Sequence, residues 1–195
     1  MCSGFFDPSL AAATLFVGIA IRFLDDYLDY QQDELLGRRT SWHYLQGAGI
    51  VYAMVALALG VRIAPSWGAA LFFAAYGIGM ATDPKAMLPS HLAGGMELVL
   101  ASITAVIVGG WNLGLAALSL MLGLDILDDC LDLAQESRVV SVRNWASLYG
   151  RRPAVVLACL AILSSLFLAA REALWGLLWG GAFLFFSWRR EGRGR

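Results

Sequence analysis

Seven stretches of this chain hold little besides apolar and small residues: 9–24, 47–64, 66–82, 92–110, 111–127, 153–170 and 172–188. Polar and charged residues gather in the gaps between them. The alternation of a strand is absent from all seven, and in hydrocarbon a helix satisfies its own backbone groups. Seven helices are therefore predicted. A straight helix needs about 20 residues to cross a bilayer, with ~17–25 tolerated. The first and third stretches are at or below that limit, which predicts tilting, local thinning or helix running on into the polar flanks. Pro65, Pro84, Pro89 and Pro153 fall at the boundaries, where proline starts or ends a helix at little cost. The predicted fold is an all-α integral membrane bundle of about seven transmembrane helices, forming one domain over residues 1–195.

Composition supports that reading. The chain is 59% hydrophobic and 15% charged, with a mean hydropathy of +0.66; soluble domains average roughly 45–50% apolar and about 25% charged. Too few charged residues remain to cover a soluble surface. Cys2, Cys130 and Cys159 are scattered and odd in number, which suits packing better than a disulfide framework or a zinc site. The N-terminal run lacks a basic flank, so no cleaved signal peptide is expected.

Charge also orients the bundle. With the N-terminus outside and seven crossings, eleven of the 14 basic residues fall on the inner side: Arg38, Arg39, Lys85, Arg138, Arg143, Arg151, Arg152, Arg189, Arg190, Arg193 and Arg195. Only Arg62 and Arg171 fall outside, and Arg22 lies within the first helix. That asymmetry is the signature of cytoplasmic loops.

The acidic residues carry the chemistry. Leu24-Asp25-Asp26-Tyr27-Leu28-Asp29 closes the first apolar stretch, and Leu127-Asp128-Asp129-Cys130-Leu131-Asp132 closes the fifth, 103 residues later. The register persists downstream: Gln32 with Gln135, Asp33 with Glu136, Trp42 with Trp145, Leu45 with Leu148, Gly47 with Gly150. Two related halves are predicted, roughly 9–91 and 111–188.

On a helix, Asp25, Asp26, Asp29 and Asp33 fall within about 100° of one another. Asp125, Asp128, Asp129, Asp132 and Glu136 fill a similar arc. Like charges one turn apart repel, and desolvation near a bilayer adds several kcal/mol unless each charge is paired. Solvated helix ends would tolerate one such cluster; two in register call for a cation. Oxygen ligands without His or Cys suit Mg²⁺, or Mn²⁺, rather than zinc. Two facing clusters would hold a diphosphate between metal ions, and Arg38, Arg39, Lys85 and Arg143 lie where they would stabilise its charge.

These motifs resemble the UbiA-type intramembrane prenyltransferase superfamily. Asp25-Asp26-Tyr27-Leu28-Asp29-Tyr30-Gln31-Gln32-Asp33 is similar to the first signature, N-D-x-x-D-x-x-x-D, with Asp25 in place of the Asn. The second signature, D-x-x-x-D, is met at Asp132 to Glu136, Asp128 to Asp132 and Asp125 to Asp129. The repeat favours aligning Asp128, Asp129, Asp132 and Glu136 with the first motif. Ser141 through Gly150 resembles the stretch that follows the second motif, and Ala75 through Glu97 echoes the central loop more weakly. The resemblance spans nearly the whole chain.

What the resemblance implies is Mg²⁺-dependent transfer of a prenyl group from an allylic prenyl diphosphate to a small, often aromatic or quinone-precursor acceptor within the membrane. Asp25, Asp26, Asp29, Asp33, Asp128, Asp129, Asp132 and Glu136 are the expected metal ligands. Arg38, Arg39, Lys85 and Arg143 are expected on the diphosphate, with Asp29, Asp132 and Lys85 as the catalytic set. The chain is shorter than typical members, and its first motif lies on the first helix rather than the second. Trp145 stands where a smaller polar residue is common. Two rivals keep the same site: a terpene cyclase without an acceptor, and a non-catalytic relative that binds prenyl lipid or metal, alone or with further copies or another membrane subunit.

Other residues bound these readings. Glu97 in the fourth stretch reads either as a functional intramembrane carboxylate or as a side chain reaching the interface. Arg22, one turn before Asp26, reads as its ion-pair partner. His43 and His91 read as isolated loop histidines. Trp42, Trp67, Trp111, Trp175, Trp179 and Trp188 read as interfacial belts. No dinucleotide loop, nucleophilic triad, D-G-x-x-A-R signature or nucleic-acid surface is present. The basic C-terminal tail suits anionic lipid headgroups.

Overall fold

A computed structural model describes residues 7–28, 30, 34, 41–81, 84, 85, 87, 90–136 and 145–191. Those residues are almost entirely helical. Helix α1 spans Pro8–Leu28, the short α2 Ser41–Leu45, α3 Gly47–Ile63, α4 Pro65–Gly79 and α5 Gly94–Glu136. The short α6 spans Trp145–Tyr149, α7 Arg151–Leu168 and α8 Ala170–Glu191. Each of the seven apolar stretches is a helix. The first and fifth run on into their acidic motifs, which answers the shortfall in length of the first, while the third remains short at 15 residues.

Helix α5 is two limbs, 94–109 and 111–136, folded back at Gly110 (φ 72, ψ 174). An L side chain rarely adopts that conformation, whereas glycine does so without a Cβ penalty. The fold-back is tight: a Cβ on Gly114 would lie 2.6 Å from Val106 Cα. The chain therefore turns where the sequence divides stretches 92–110 and 111–127.

Packing alternates in direction. Gly60, near the end of α3, sits against Ala13 and Val17 in the first half of α1, so α3 returns along α1. Gly77 late in α4 meets Leu98 and Ala101 early in α5, and the second limb of α5 meets α7 through Gly123 against Ala158 and Ile162. Helix α8 runs with α1, since Trp179 Nε1 donates to Ala11 O (3.1 Å) and Phe183 meets Gly18. One end of the bundle thus holds Asp7, Ala64, Gly110 and Ala169, and the other both acidic motifs.

The interior is made of small residues and the exterior of large ones. Ala13, Ala20, Ala53, Ala70, Ala74, Ala105, Ala116, Ala117, Ala158 and Ala173 are fully buried. Ile107 and Trp111 are each 75% exposed and Phe167 is 91% exposed. Water would penalise such continuous apolar surface, whereas lipid does not, and close helix approach in lipid favours Ala and Gly at the contacts. Among the described residues, three helical stretches are long and apolar enough to cross a membrane: Pro8–Leu28, Gly94–Leu131 with its fold-back at Gly110, and Arg151–Leu168. Gly47–Ile63 is apolar but shorter, at 17 residues.

The buried stripes of α3 and α7 share one spacing. On α3 they are Gly49, Ala53, Ala56 and Gly60; on α7, Ala154, Ala158, Ala161 and Ser165. Both helices end in the same break. Ala64 (φ −133, ψ 81) and Ala169 (φ −153, ψ 70) each donate to the carbonyl four residues earlier, Gly60 O at 3.0 Å and Ser165 O at 2.9 Å. The helix crossings correspond as well. Gly60 lies so close to α1 that a Cβ would come 2.9 Å from Ala13 O, while Ser165 Oγ donates to Ala116 O at 2.8 Å.

Two expectations need correcting. Trp67 is not interfacial: it is 2% exposed, and its Nε1 donates to Thr14 Oγ1 at 3.0 Å while that hydroxyl donates to Leu10 O at 2.8 Å. A buried indole needs an acceptor for its N–H, and Thr14 supplies it. Trp175 and Trp179 are partly buried. His43 lies in α2 rather than a loop, its ring 5.4 Å from that of Tyr30.

Candidate functional site at the acidic end

The last turns of α1 present Arg22, Asp25 and Asp26 on one face, because residues three and four apart are neighbours on a helix. Arg22 Nη1 lies 3.2 Å from Asp25 Oδ2, and Nη2 lies 3.3 Å from Asp26 Oδ1. Asp25 is exposed and Asp26 is buried, at 5%. The guanidinium fork engages both carboxylates at once, which suits Arg better than Lys. The ion pair read from the sequence is present.

On the second limb of α5, Asp125, Asp128 and Asp129 follow the same face. Here the donors come from another element. The backbone N–H of Trp145 donates to Asp129 Oδ2 at 2.6 Å, and its indole Nε1 donates to Asp125 Oδ2 at 3.0 Å. The Trp145 ring stacks on Tyr149, centroids 6.0 Å apart and planes 15° apart. Beneath it, Ile126, Cys130, Ala146, Ala154 and Ala158 form a small apolar cluster that seats α6 against α5 and α7. Trp145 thus ties a five-residue helix to the acidic face.

The two ends approach each other: Asp125 lies within electrostatic reach of Asp25 as well as of Asp128 and Asp129. Glu97, in the first turn of the other limb of α5, accepts a hydrogen bond from the Tyr76 hydroxyl of α4. A helix N-terminus favours that carboxylate, so Glu97 is a paired group within the bundle.

Several predicted residues fall elsewhere. Asp29, Asp33, Arg38, Arg39 and Arg143 lie outside the described residues. Asp132 and Glu136 continue the α5 helix, with their side chains outside the description. Lys85 is exposed. Among the described residues, no three His, Cys, Asp or Glu side chains converge as a ready metal cage. The donor chemistry fits a hard cation all the same, since the described groups on these faces that would ligate one, Asp25, Asp26, Asp125, Asp128 and Asp129, are carboxylates. Mg²⁺ commonly takes one or two carboxylates and completes its shell with water and phosphate oxygens.

Sequence reasoning gave Trp145 no role in the site, and it counted Asp125 in the second acidic cluster but left it out of the expected metal ligands. The signal was present for both: Trp145 holds the repeat register with Trp42, and Asp125 stands one turn before Asp129. What defines the chain thus far is a helical bundle of membrane character with two acidic helix ends at one pole. It matches no known protein family, no curated protein and no solved structure.

Proposed function

We propose that this protein is a membrane-embedded, Mg²⁺-dependent prenyltransferase of the UbiA type, crossing the bilayer seven times with its acidic pole on the cytoplasmic side. The observation that carries the reading is the approach of Asp25 to Asp125, one acid from each cluster. The alternating helix directions support the topology. The matched stripes of α3 and α7, their matched breaks at Ala64 and Ala169, and the parallel courses of α1 and the second limb of α5 support two halves repeated in the same orientation.

Asp25, Asp26, Asp29 and Asp33 would hold Mg²⁺ from one side and Asp128, Asp129, Asp132 and Glu136 from the other. Bound there, the metal would neutralise the diphosphate of an allylic prenyl substrate and favour its departure. Asp29, Asp132 and Lys85 would stand closest to that chemistry, and Arg38, Arg39, Lys85 and Arg143 would take up the diphosphate charge. The apolar helices would shelter the prenyl chain and exclude water while an aromatic acceptor is alkylated.

The test is diphosphate release from geranyl, farnesyl and geranylgeranyl diphosphate, with Mg²⁺ and a panel of quinone precursors, by the protein in nanodiscs. Release that requires Mg²⁺ and disappears in Asp29→Ala and Asp132→Ala is the expected result. Turnover unaltered by either substitution would reject the assignment. A cyclic hydrocarbon formed without acceptor would identify the cyclase instead.

A second reading has an observation in its favour. Arg22 already engages Asp25 and Asp26, and Trp145 already engages Asp125 and Asp129. Protein groups thus answer part of the charge that a cation would otherwise answer. A relative that binds prenyl lipid without turning it over would retain this arrangement, and would release no diphosphate from any allylic substrate.

A further inference from the structure

We infer that Trp145 is a positioning residue for the second half of the cation site: it fixes the carboxylates of Asp125 and Asp129 so that this acidic face is set before a cation arrives. The inference rests on the cation-binding reading above. Three observations lead to it. First, Trp145 spends both its N–H groups on this one face, the backbone N–H on Asp129 Oδ2 and the indole N–H on Asp125 Oδ2. Second, these contacts are long-range and come from a separate element whose place is set by packing: α6 has five residues, too few to be stable by itself. Third, its ring is locked by the stack on Tyr149, and Ala146 beside it is buried on Ile126 and Cys130.

A carboxylate held at one oxygen has its plane fixed, and with it the direction in which the other oxygen faces. Three acids within one helical turn would otherwise swing apart to lower their mutual repulsion. Donors to one oxygen of each of two acids oppose that motion without adding a positive charge, so the attraction for a cation is kept. Hydrogen bonds to ligating carboxylates commonly act in this way, and their loss typically lowers metal affinity by about 10–100-fold. The equivalent position in the first half shows what the alternative costs. Arg22, in register with Asp125, holds Asp25 and Asp26 by cancelling their charge.

Mn²⁺ titration followed by electron paramagnetic resonance, on the full chain in nanodiscs, tests the idea without any turnover. Trp145→Phe keeps an aromatic ring next to Tyr149 and the backbone N–H, and removes the indole donor together with part of the ring. The expected result is about tenfold weaker Mn²⁺ binding, with an unchanged cation-free melting temperature. A benzothiophene analogue of the indole at the same position removes the N–H with even less change of shape and must give the same loss. Equal Mn²⁺ affinity in wild type and both variants overturns the positioning role and leaves the cation site standing. A parallel fall in cation-free melting temperature and affinity overturns it too, since the tryptophan would then act through folding. No Mn²⁺ binding by the wild-type protein overturns the site itself, and this inference with it.

Discussion

At the end of α1, Asp25 and Asp26 are held by Arg22 from one turn earlier on the same helix; at the end of α5, Asp125 and Asp129 are held by Trp145 from a different element. The two ends share a sequence register, and in that register Arg22 and Asp125 stand at the same place. The first end sets one cation against two acids. At the second, the neutral N–H groups of Trp145 hold Asp125 and Asp129. Stability therefore weighs on the first end and attraction for a cation on the second. Two stretches in one sequence register need not share one role: one charge reversal at one position is enough to divide them.

Removing the internal cation should have the largest effect. Asp26 is buried, and breaking a buried pair by deleting one partner costs about 3–5 kcal/mol. Arg22 is itself partly exposed, so Arg22→Ala should cost less, about 2–3 kcal/mol, read by chemical denaturation of the protein in mixed micelles. The mirror substitution should go the other way. Asp125→Asn keeps an acceptor for the indole and removes two like-charge neighbours, so it should stabilise by a few tenths of a kcal/mol per pair. Two destabilising outcomes of similar size would erase the distinction between the ends.

The helix crossings offer the next contrast. A methyl on Gly60 would come 2.6 Å from Val17 Cγ2 and 2.9 Å from the Ala13 carbonyl. The carbonyl cannot rotate away, so Gly60→Ala must push α1 and α3 apart, and overpacking of this kind costs about 1–3 kcal/mol. At the matching crossing, Ser165→Ala removes one hydrogen bond to Ala116 O and should cost only about 0.6 kcal/mol, the average for such bonds in lipid. Comparable losses at the two sites would mean that the crossings are not equivalent.

Much of the fold could be read from the chain because hydrocarbon imposes so few solutions. Long apolar stretches become helices, prolines mark their starts, and Gly110 sits where two stretches meet. The in-register acids could be read for the same reason: nine of the 15 acidic residues fall in two clusters, and no random surface is so segregated. What escaped was tertiary. Trp67 reads as interfacial from its place at a helix start, yet it is buried because Thr14, 53 residues away, offers its indole an acceptor. Trp145 reads as a register mark only, because which acid its N–H groups reach depends on how α6 packs, and spacing does not encode that. Arg22 was legible since its partners lie three and four residues away on one helix. Local geometry can be read along the chain; contacts between elements cannot.

The smallest effect lies at the opposite pole and completes the comparison, because there a carboxylate is held with no like charge beside it. Asp7 caps α1: its Oδ1 accepts from the Ser9 N–H (3.0 Å), the Ser9 hydroxyl (2.6 Å) and the Leu10 N–H (3.3 Å). The Ser9 hydroxyl first, then the Leu10 amide, holds the Asp7 carboxyl below its ordinary value of 3.8, and Arg171 adds to this from the start of α8. A carboxylate whose folded pKa is depressed contributes stability above its unfolded pKa and loses it as pH falls through the folded one. The melting temperature of wild type should therefore drop in the acid limb below about pH 4 more than that of Asp7→Asn, which keeps a capping oxygen but does not titrate. The difference should be small, since the group is at the surface. Above that limb the wild type should keep a small, constant advantage from its charge near the α1 N-terminus, and the two proteins should converge as the carboxylate protonates. An acid limb that is identical in both would leave the cap as geometry alone, with no electrostatic share.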